Sequence, residues 1–325
     1  MSVKEKLTAL ANKIRSYTGK TALLGLDDMA AEVDAVAVTM PNALIARSAT
    51  NIVIPKGCSG ISSYAFYYYN KKLKSVSVES TRLNGVYYCA FFHCDTLEEF
   101  YIADKCNIRR FGGRAFDKCS KLKLIDLSGY SGSDIPQLDS VDAFKEVHKD
   151  CVIIVPSGLY TQWISATNWS AIADIIYPSV ECYLGNDGTC CVTWLPYLPN
   201  IYIPQSYKGH TIISTTYGGL GNRSIKTLIV DAEDIYLDSS GFKACTSLQS
   251  VVFKKTPSKI SWYSFYNCTS CLVYDFSACT YIPKLGTNVF YGINDNAKIL
   301  VPKKLYEEWK SATNWAEYAD YIIAV

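Results

Sequence analysis

A repeated pattern of apolar residues, with a period of about 25 positions, constrains this sequence most strongly. Three segments align on an Ala-Phe pair, "YAFYYYNKKLKSVSV", "CAFFHCDTLEEFYI" and "RAFDKCSKLKLIDL", so that Phe66, Phe91 and Phe116 lie 25 residues apart. In the last two segments, a Cys follows the Phe by three residues and a Leu follows the Cys by three. Two more apolar residues follow at intervals of three and two. Self-similarity at a fixed period is the signature of a protein built from stacked repeats.

The second half of the chain carries the same pattern. The segments "GFKACTSLQSVVF" and "SFYNCTSCLVYDF" keep the spacing, beginning at Phe242 and Phe265. The pattern departs from the rule around Tyr69 and Asn70 and at Cys271, which takes the place of the Leu. It departs again in "TTYGGLGNRS", which lacks the Ala-Phe pair. We expect this last segment to form an irregular coil.

Each repeat predicts one helical or irregular turn followed by one short strand. The closing interval of two residues is the period at which strand side chains return to the same face. A single repeat cannot bury its apolar face alone, so neighbouring repeats must stack, and the recurring Phe, Cys and Leu form ladders in the core. Burying each such side chain contributes about 1.5–3 kcal/mol, which is a sufficient structural reason for its recurrence. We predict an α/β solenoid with about 23–25 residues in each coil.

These repeats, of the form A-F-x-x-C-x-x-L-x-x-I/V-x-I/L, resemble the BspA-type leucine-rich repeat family over about residues 45–155 and 195–302. The resemblance implies a leucine-rich-repeat solenoid. Because members of this family are mostly binding proteins, it also implies a role in surface adhesion or recognition. The resemblance carries over no catalytic residues.

A longer repeat relates the two halves of the chain. The segments "VPSGLYTQWISATNWSAIADII" and "VPKKLYEEWKSATNWAEYADYII" match at a constant offset of 146 residues, so "SATNW" occurs at 165–169 and at 311–315. The Pro ends strand pairing, and the spacing of Leu, Tyr, Trp and Ala after it predicts a short amphipathic helix. We interpret this helix as a cap, because an uncovered edge strand invites pairing with another chain. A sugar-binding role for Trp163 or Trp309 is the alternative.

The two repeat blocks and the residues before them define three predicted domains: 1–40, 41–180 and 181–325. In the first, "SVKEKLTALANKIRSYTG" places apolar residues on one helical stripe, and "LDDMAAEV" begins a second short helix. This segment resembles the N-terminal segment of many virion and tail-associated proteins of phages and prophages of Gram-positive bacteria. The resemblance implies attachment to a particle. A helical hairpin that only caps the first coil is the alternative.

The charge balance argues against nucleic acid and membrane partners. The sequence has 32 Lys and Arg against 30 Asp and Glu, so no basic field exists to attract phosphate backbones or anionic lipids. No apolar run approaches the roughly 18 residues that span a bilayer, and no signal peptide follows "MSVKEK". We therefore expect a soluble protein, made in the cytosol, with no nucleic acid partner and no membrane insertion.

No motif predicts an active site, a cofactor or a metal. His93, His148 and His210 lie far apart, without a companion at metal-ligand spacing. Cys268 and Cys271 resemble half of a zinc site, but both occupy repeat positions, so we interpret them as core thiols. The sequence also has no dinucleotide-binding fingerprint and no nucleophile elbow. We expect a protein without enzymatic activity.

Two sets of residues are candidates for ligand binding. Tyr and Trp dominate recognition surfaces, and this sequence has 25 and 6 of them. The first set is the outward column of the strands, whose side chains we expect to face solvent: Ser77, Tyr101, Asp126, Val252 and Asp275. The second set flanks the inward Phe positions, where packing between coils is the alternative role: Tyr67, Tyr68, Tyr87, Tyr88, Trp262 and Tyr263.

The functional prediction is therefore a phage or prophage tail-associated receptor-binding protein. We expect it to contact a bacterial surface protein or glycan, and to bind other virion proteins through residues 1–40. The absence of a signal peptide fits release by lysis, with the protein located on the virion. The alternatives are a structural scaffold of the virion and an adhesin on the bacterial cell surface.

Overall fold

The computed structural model describes residues 49–68, 72–208, 210–215 and 224–325. The predicted helical segment at 1–40, the departures at Tyr69 and Asn70, and most of "TTYGGLGNRS" lie outside these residues. The chain divides into two compact units, with the boundary between Ile176 and Tyr177.

The first unit consists of short strands joined by turns. Its strands are β1 Asn51–Ile54, β2 Ser75–Val78, β3 Glu99–Ile102, β4 Arg110–Phe111, β5 Leu124–Asp126, β6 Gln137–Leu138, β7 Val152–Val155 and β8 Ile176–Pro178. Its helical segments are α1 Tyr160–Ser165 and the 3-10 turns Val141–Phe144, Ser157–Leu159 and Trp169–Ile175. Each coil therefore contributes one main strand, as the spacing predicts.

The main strands of the first unit form one six-stranded sheet in the order β1-β2-β3-β5-β7-β8, and the pairs from β1 to β7 are parallel. Their register places Ile52 beside Val76, Val76 beside Phe100, and Phe100 beside Ile125. All four side chains are buried. A smaller parallel pair, β4 with β6, lies elsewhere in the same coils.

The second unit begins with an antiparallel hairpin and then repeats the arrangement. Its strands are β9 Glu181–Leu184, β10 Thr189–Trp194, β11 Asn200–Ile203, β12 Ser206–Tyr207, β13 His210–Thr215, β14 Thr227–Val230, β15 Tyr236–Leu237, β16 Ser250–Phe253, β17 Lys259–Ile260, β18 Val273–Asp275, β19 Lys284–Leu285, β20 Lys298–Val301 and β21 Ile322–Ala324. The main sheet has the order β11-β14-β16-β18-β20-β21 and is parallel throughout. The other sheet has the order β19-β17-β15-β13-β10-β9, and β12 pairs with β13.

The repeated Phe residues form a ladder of parallel rings in each unit. The ring centroids of Phe66 and Phe91 are 4.9 Å apart, those of Phe91 and Phe116 are 5.1 Å apart, and the planes differ by 1° and 5°. Phe144, which lies outside the aligned segments, extends this ladder at 5.8 Å from Phe116. The second unit has a ladder of the same kind through Phe242, Phe265 and Phe290. The Phe ladder predicted from the spacing is confirmed.

The repeated Cys residues satisfy backbone carbonyl groups inside the ladders. The thiols of Cys94 and Cys119 donate to the carbonyl oxygens of Phe66 and Phe91, each at 3.1 Å. The thiol of Cys268 donates to the carbonyl oxygen of Phe242 at 3.2 Å. Burial holds the pKa of the Cys119 thiol well above its usual value, so the proton that makes this bond is retained. Buried carbonyl groups need a partner, and this need explains why Cys recurs three residues after the Phe.

Left-handed backbone conformations flank six of the ladder Phe residues on both sides. Tyr64 and Tyr68, two residues before and two after Phe66, have φ angles of 60° and 54°. The same two positions have positive φ around Phe91, Phe116, Phe242, Phe265 and Phe290: Cys89, His93, Arg114, Lys118, Ser240, Ala244, Tyr263, Asn267, Asn288 and Gly292. This conformation costs roughly 1–2 kcal/mol in any residue except Gly. Because it recurs around six ladder Phe residues, the strain belongs to the coil geometry and does not mark one particular site.

We expect the substitution Gly292→Ala to lower the free energy of unfolding by about 1–2 kcal/mol, because Gly292 is the glycine at this left-handed position. Its φ is +69°, and an added Cβ would lie 2.1 Å from Oδ1 of Asn267. Urea-induced unfolding measures the change. The matched control is Gly158→Ala, where an added Cβ meets nothing within 4 Å. Equal stability of the two variants would contradict this account of the coil.

The duplicated "SATNW" segment attaches a helical segment to the last short strand of each unit. The indole N–H of Trp169 donates to the carbonyl of Pro136 at 2.7 Å, and that of Trp315 donates to Pro283 at 2.8 Å. The preceding residues, Asn168 and Asn314, both have a left-handed backbone. Their side-chain amides donate to the carbonyl groups of Leu138 and Leu285, each at 2.7 Å. The recurrence of the pentapeptide therefore has a structural cause.

Two expectations about the duplicated segment need correction. Trp163 and Trp309 have no exposed surface, so the sugar-binding alternative for these two rings is wrong. The helical segments, which include α2 Tyr306–Ser311 with the 3-10 turns Lys303–Leu305 and Ala316–Tyr321, do not simply cover the last strand. Each segment returns as one more strand, β8 beside β7 and β21 beside β20. The added strand hydrogen-bonds to the strand before it and becomes the terminal strand of its sheet.

Candidate functional site

The outward column of the strands is less accessible than the sequence predicts. Ser77, Tyr101, Val252 and Asp275 are half-buried, and Asp126 is only 8% exposed. The prediction that Asp126 faces solvent is therefore wrong.

The reason is that these polar side chains are used within the fold. A carboxylate oxygen of Asp126 accepts the backbone N–H of Ser128 at 2.9 Å, and Asp275 accepts that of Ser277 at 2.8 Å. Both carboxylates close the turn that follows their strand. The hydroxyl of Tyr101 donates to the carboxylate of Glu99.

In the described part of the first unit, the aromatic residues beside Phe66 form the most extensive exposed cluster. We call Tyr64, Tyr67, Tyr68 and Tyr88 the tyrosine surface; their exposed fractions are 52%, 36%, 46% and 44%. Tyr87 was predicted with this group but is half-buried. Its ring lies against Gly60, where an added Cβ would come within 2.9 Å of the ring.

The rings of the tyrosine surface contact one another across two successive coils. The centroids of Tyr64 and Tyr88 are 5.6 Å apart, those of Tyr64 and Tyr67 are 5.4 Å apart, and those of Tyr67 and Tyr68 are 4.6 Å apart. All three pairs meet edge to face, the arrangement that aromatic pairs favour. The contacts hold the rings in place before any ligand binds, which reduces the entropy that binding would cost.

Two rings of the next coil stack on rings of the tyrosine surface. Phe92 stacks under Tyr67 at 5.2 Å, and the His93 ring stacks on Tyr68 at 4.7 Å. Nδ1 of His93 lies 2.7 Å from a carboxylate oxygen of Asp95. Tyr64, Phe92 and His93 were missed in the sequence analysis. For Phe92 and His93 the signal was available, since they lie 25 residues after Tyr67 and Tyr68.

The hydroxyls of Tyr67 and Tyr88 remain protonated at neutral pH. Desolvation raises the pKa of Tyr67, and a hydrogen bond with Cys89 raises the pKa of Tyr88. The surface therefore offers neutral hydroxyl groups, which both donate and accept hydrogen bonds, beside apolar ring faces. This combination suits the faces and hydroxyls of sugars, or the side chains of a protein.

The second unit has its own exposed aromatic residues. Trp262 is 56% exposed and Tyr263 is 37% exposed. Tyr266 stacks on Tyr291 at 5.3 Å, and the ammonium group of Lys243 lies 5.4 Å and 5.1 Å from the ring centroids of Tyr263 and Tyr266. Both predicted residues of this unit are thus accessible.

The His, Cys, Asp and Glu side chains do not form a metal site in the described part of the chain. Within residues 49–68, 72–208, 210–215 and 224–325, no three His, Cys, Asp or Glu side chains come together as a metal site would require. Cys268 and Cys271 are fully buried, which confirms that they are core thiols. Burial raises the pKa of the Cys271 thiol to about 11. In the same described ranges, no helix has the length and apolar character needed to cross a membrane.

A parallel strand in each coil, a core of Phe, Cys and Leu ladders and exposed aromatic residues define a leucine-rich-repeat protein. The chain belongs to the family described as the BspA type leucine rich repeat region, whose model matches residues 41–138 and 216–312 in six copies. These ranges cover about three fifths of the chain. The resemblance inferred from the repeat pattern is confirmed. The match begins at residue 41, so the likeness of residues 1–40 to tail-associated proteins stays a prediction.

Several solved structures show a distant likeness. A leucine rich cell surface protein from Faecalibacterium prausnitzii is 16% identical, with 78% of this chain and 82% of that chain covered and a TM-score of 0.25. A leucine-rich repeat protein from Bacteroides ovatus is 17% identical, with 86% and 85% covered and a TM-score of 0.27. The pneumococcal vaccine antigen PcpA is 15% identical, with 79% and 78% covered and a TM-score of 0.23. Sequence identities and TM-scores this low support no conclusion about function. No curated protein sequence matches the chain.

Proposed function

We propose that this protein is a non-enzymatic recognition protein that binds a bacterial surface glycan or protein through the tyrosine surface. The observation that carries the proposal is the set of four exposed tyrosine rings in mutual contact. Contiguous exposed aromatic patches mark interaction sites on otherwise polar surfaces. Tyr is suited to recognition because its large ring is ordered at a low entropic cost.

Binding rather than catalysis is supported by the state of the nucleophilic groups. Burial raises the pKa of Cys119 and Cys268, and both thiols donate to backbone carbonyl groups. A thiol is nucleophilic as the thiolate, so these residues serve the fold.

The finer proposal concerns location and organisation. We propose that residues 41–180 and 181–325 form two repeat blocks, each closed by its helical segment, and that residues 1–40 attach them to a phage or prophage tail. An adhesin on the bacterial cell surface and a structural scaffold of the virion are the alternatives. Immunogold labelling of particles and of cells distinguishes the two locations directly.

We expect the triple substitution of Tyr64, Tyr67 and Tyr68 by Ala to weaken binding to bacterial cells at least tenfold. Removing three exposed rings deletes most of the contact area, and buried aromatic anchors dominate interface energies. The measurement is saturation binding of the labelled full chain to a panel of Gram-positive cells and to their isolated wall glycans.

The matched control for this experiment is Tyr197→Ala, because Tyr197 is 71% exposed and lies in the second unit. Circular dichroism and urea unfolding verify that the variants remain folded. Unchanged binding by the triple variant would remove the tyrosine surface from the proposal. Failure of the unsubstituted chain to bind any cell or glycan would favour the scaffold.

A further inference from the structure

A groove in the second unit lies between its short strands and the segment that follows α2. Its volume is about 460 Å³, and its lining includes Trp262, Lys259, Lys284, Leu285, Thr313 and Trp315. Trp315 and Leu285 are buried and form the apolar base, whereas Trp262 is 56% exposed at the rim. The groove therefore combines an accessible ring with two cations.

Two lysines line the groove at paired backbone positions of neighbouring strands. Lys259 of β17 and Lys284 of β19 are directly paired across the parallel strands. The Lys259 ammonium lies 5.5 Å from the ring centroid of Tyr236, and in the described part of the chain neither lysine has an ion pair. Two like charges in one groove repel each other, although exposure to solvent weakens the repulsion. An anion bound in the groove would supply the counter-charge that both lysines lack.

The corresponding strand pair of the first unit carries one cation, and that cation has a counter-ion. Arg110 stands six residues before the ladder residue Phe116, as Lys259 stands six before Phe265. Arg110 pairs across the strands with Gln137, so only one of the two positions carries a cation. That cation is neutralised, because the Arg110 guanidinium contacts the Asp139 carboxylate at 2.8 Å and 2.9 Å.

The second unit replaces both the neutralising carboxylate and the residue at the rim. Gly286 follows Leu285 where Asp139 follows Leu138 in the first unit, and Trp262 occupies the position of Gly113. Gly286 lies close to the neighbouring coil, because a Cβ on residue 286 would come 2.7 Å from both Cδ1 and the backbone nitrogen of Trp262 and 2.8 Å from the backbone carbon of Ser261. Only Gly fits at this approach of the backbone and the indole ring. Where the first unit has an internal ion pair, the second unit has an exposed ring and two lysines that have no ion pair within the described residues.

We propose that this groove binds an acidic saccharide, meaning a sugar that carries a phosphate or carboxylate group. The sugar ring packs on the exposed face of Trp262, and its anionic group lies between the ammonium groups of Lys259 and Lys284. The inference rests on the proposed recognition function, for which it names a ligand class. Its site is formed by other residues than the tyrosine surface.

The test is isothermal titration calorimetry of the full chain with four probes. These are a phosphate-bearing oligosaccharide, a carboxylate-bearing oligosaccharide, a neutral oligosaccharide of equal length, and inorganic phosphate. We expect at least one acidic oligosaccharide to bind at least tenfold more tightly than the neutral one and than inorganic phosphate. Affinity should fall as salt is added, because exposed charges are screened. The two acidic probes distinguish the phosphate from the carboxylate as the recognised group.

Two variants locate the binding. Trp262→Ala and Lys284→Gln should each weaken acidic oligosaccharide binding at least tenfold, because one removes the ring and the other removes a cation. The matched controls are Tyr291→Ala and Lys304→Gln, which change an exposed ring and an exposed lysine of the same unit outside the groove lining. The controls should bind as the unsubstituted chain does.

The proposal is overturned by equal affinity for the neutral and acidic probes, by no binding of either acidic probe, or by unchanged binding in both groove variants. Inorganic phosphate binding as tightly as the oligosaccharides would overturn the role of Trp262. The triple variant of the tyrosine surface separates the two proposals. If it loses cell binding while the unsubstituted chain binds no acidic probe, the groove fails and the tyrosine surface stands.

Discussion

The substitution Trp315→Ala should lower the free energy of unfolding by about 3–5 kcal/mol, the range for truncating a buried Trp. Trp315 is 1% exposed. Its ring contacts Phe276, Phe290 and Trp309 at centroid distances of 5.3, 5.7 and 5.2 Å. Ala would leave a cavity among these rings and would also remove the donor to the Pro283 carbonyl. The measurement is urea-induced unfolding followed by far-ultraviolet circular dichroism.

Two further variants separate the contributions at this site. Trp315→Phe keeps an aromatic ring but removes the indole N–H, and leaving a buried acceptor unpaired costs about 1–3 kcal/mol. Trp262→Ala is the matched control, because it truncates the same residue type where 56% of it is exposed. If Trp315→Ala and Trp262→Ala lowered stability equally, "SATNW" would not hold its segment in place as described.

The substitution Phe116→Ala should also lower the free energy of unfolding by about 3–5 kcal/mol. Phe116 has no exposed surface and lies between two parallel rings, 5.1 Å from Phe91 and 5.8 Å from Phe144. Phe100 contacts it edge to face at 5.1 Å. Because coils contact mainly their neighbours, the cavity should weaken the coils on both sides. Urea unfolding gives the magnitude, and hydrogen exchange of the first unit shows where protection is lost.

The conservative variant for this position is Phe116→Leu, which keeps most of the volume and should cost clearly less than Ala. A loss below 1 kcal/mol for Phe116→Ala would mean that the ladder collapses around the gap, because the cost of such a truncation depends on how well the site relaxes. That result would contradict a core held by ring stacking.

Much of the fold follows from the sequence because the repeat period fixes which residues meet. The intervals from Phe91 to Cys94 and on to Leu97 place each side chain beside its counterpart in the next coil, and the structure confirms the Phe ladder and the core thiols. Phe144 was missed because its coil has three extra residues, so it stands 28 positions after Phe116. The added strand β8 was missed because strand pairing between distant segments has no local signal.

The candidate sites were only partly predictable. Alternation along a strand gives the direction of a side chain but not what lies above it, so it failed for Asp126, whose carboxylate closes a turn. Neighbouring tyrosines also differ: Tyr88 is exposed, while Tyr87 lies against Gly60. The groove required the coordinates, because Trp262, Lys284 and Thr313 belong to three separate segments of the chain.

The sequence by itself determined the period, the stacked coils, most of the ladder residues and the family, because a repeated pattern specifies its own neighbours. Only the tertiary structure decided which aromatic rings stay in solvent, which carboxylates are used inside the fold, and where two lysines remain without a counter-ion. The physical reason is that exposure and charge pairing depend on contacts between residues far apart in the chain. Those contacts differ between two units that share one pattern, as Asp139 and Gly286 do at the same position.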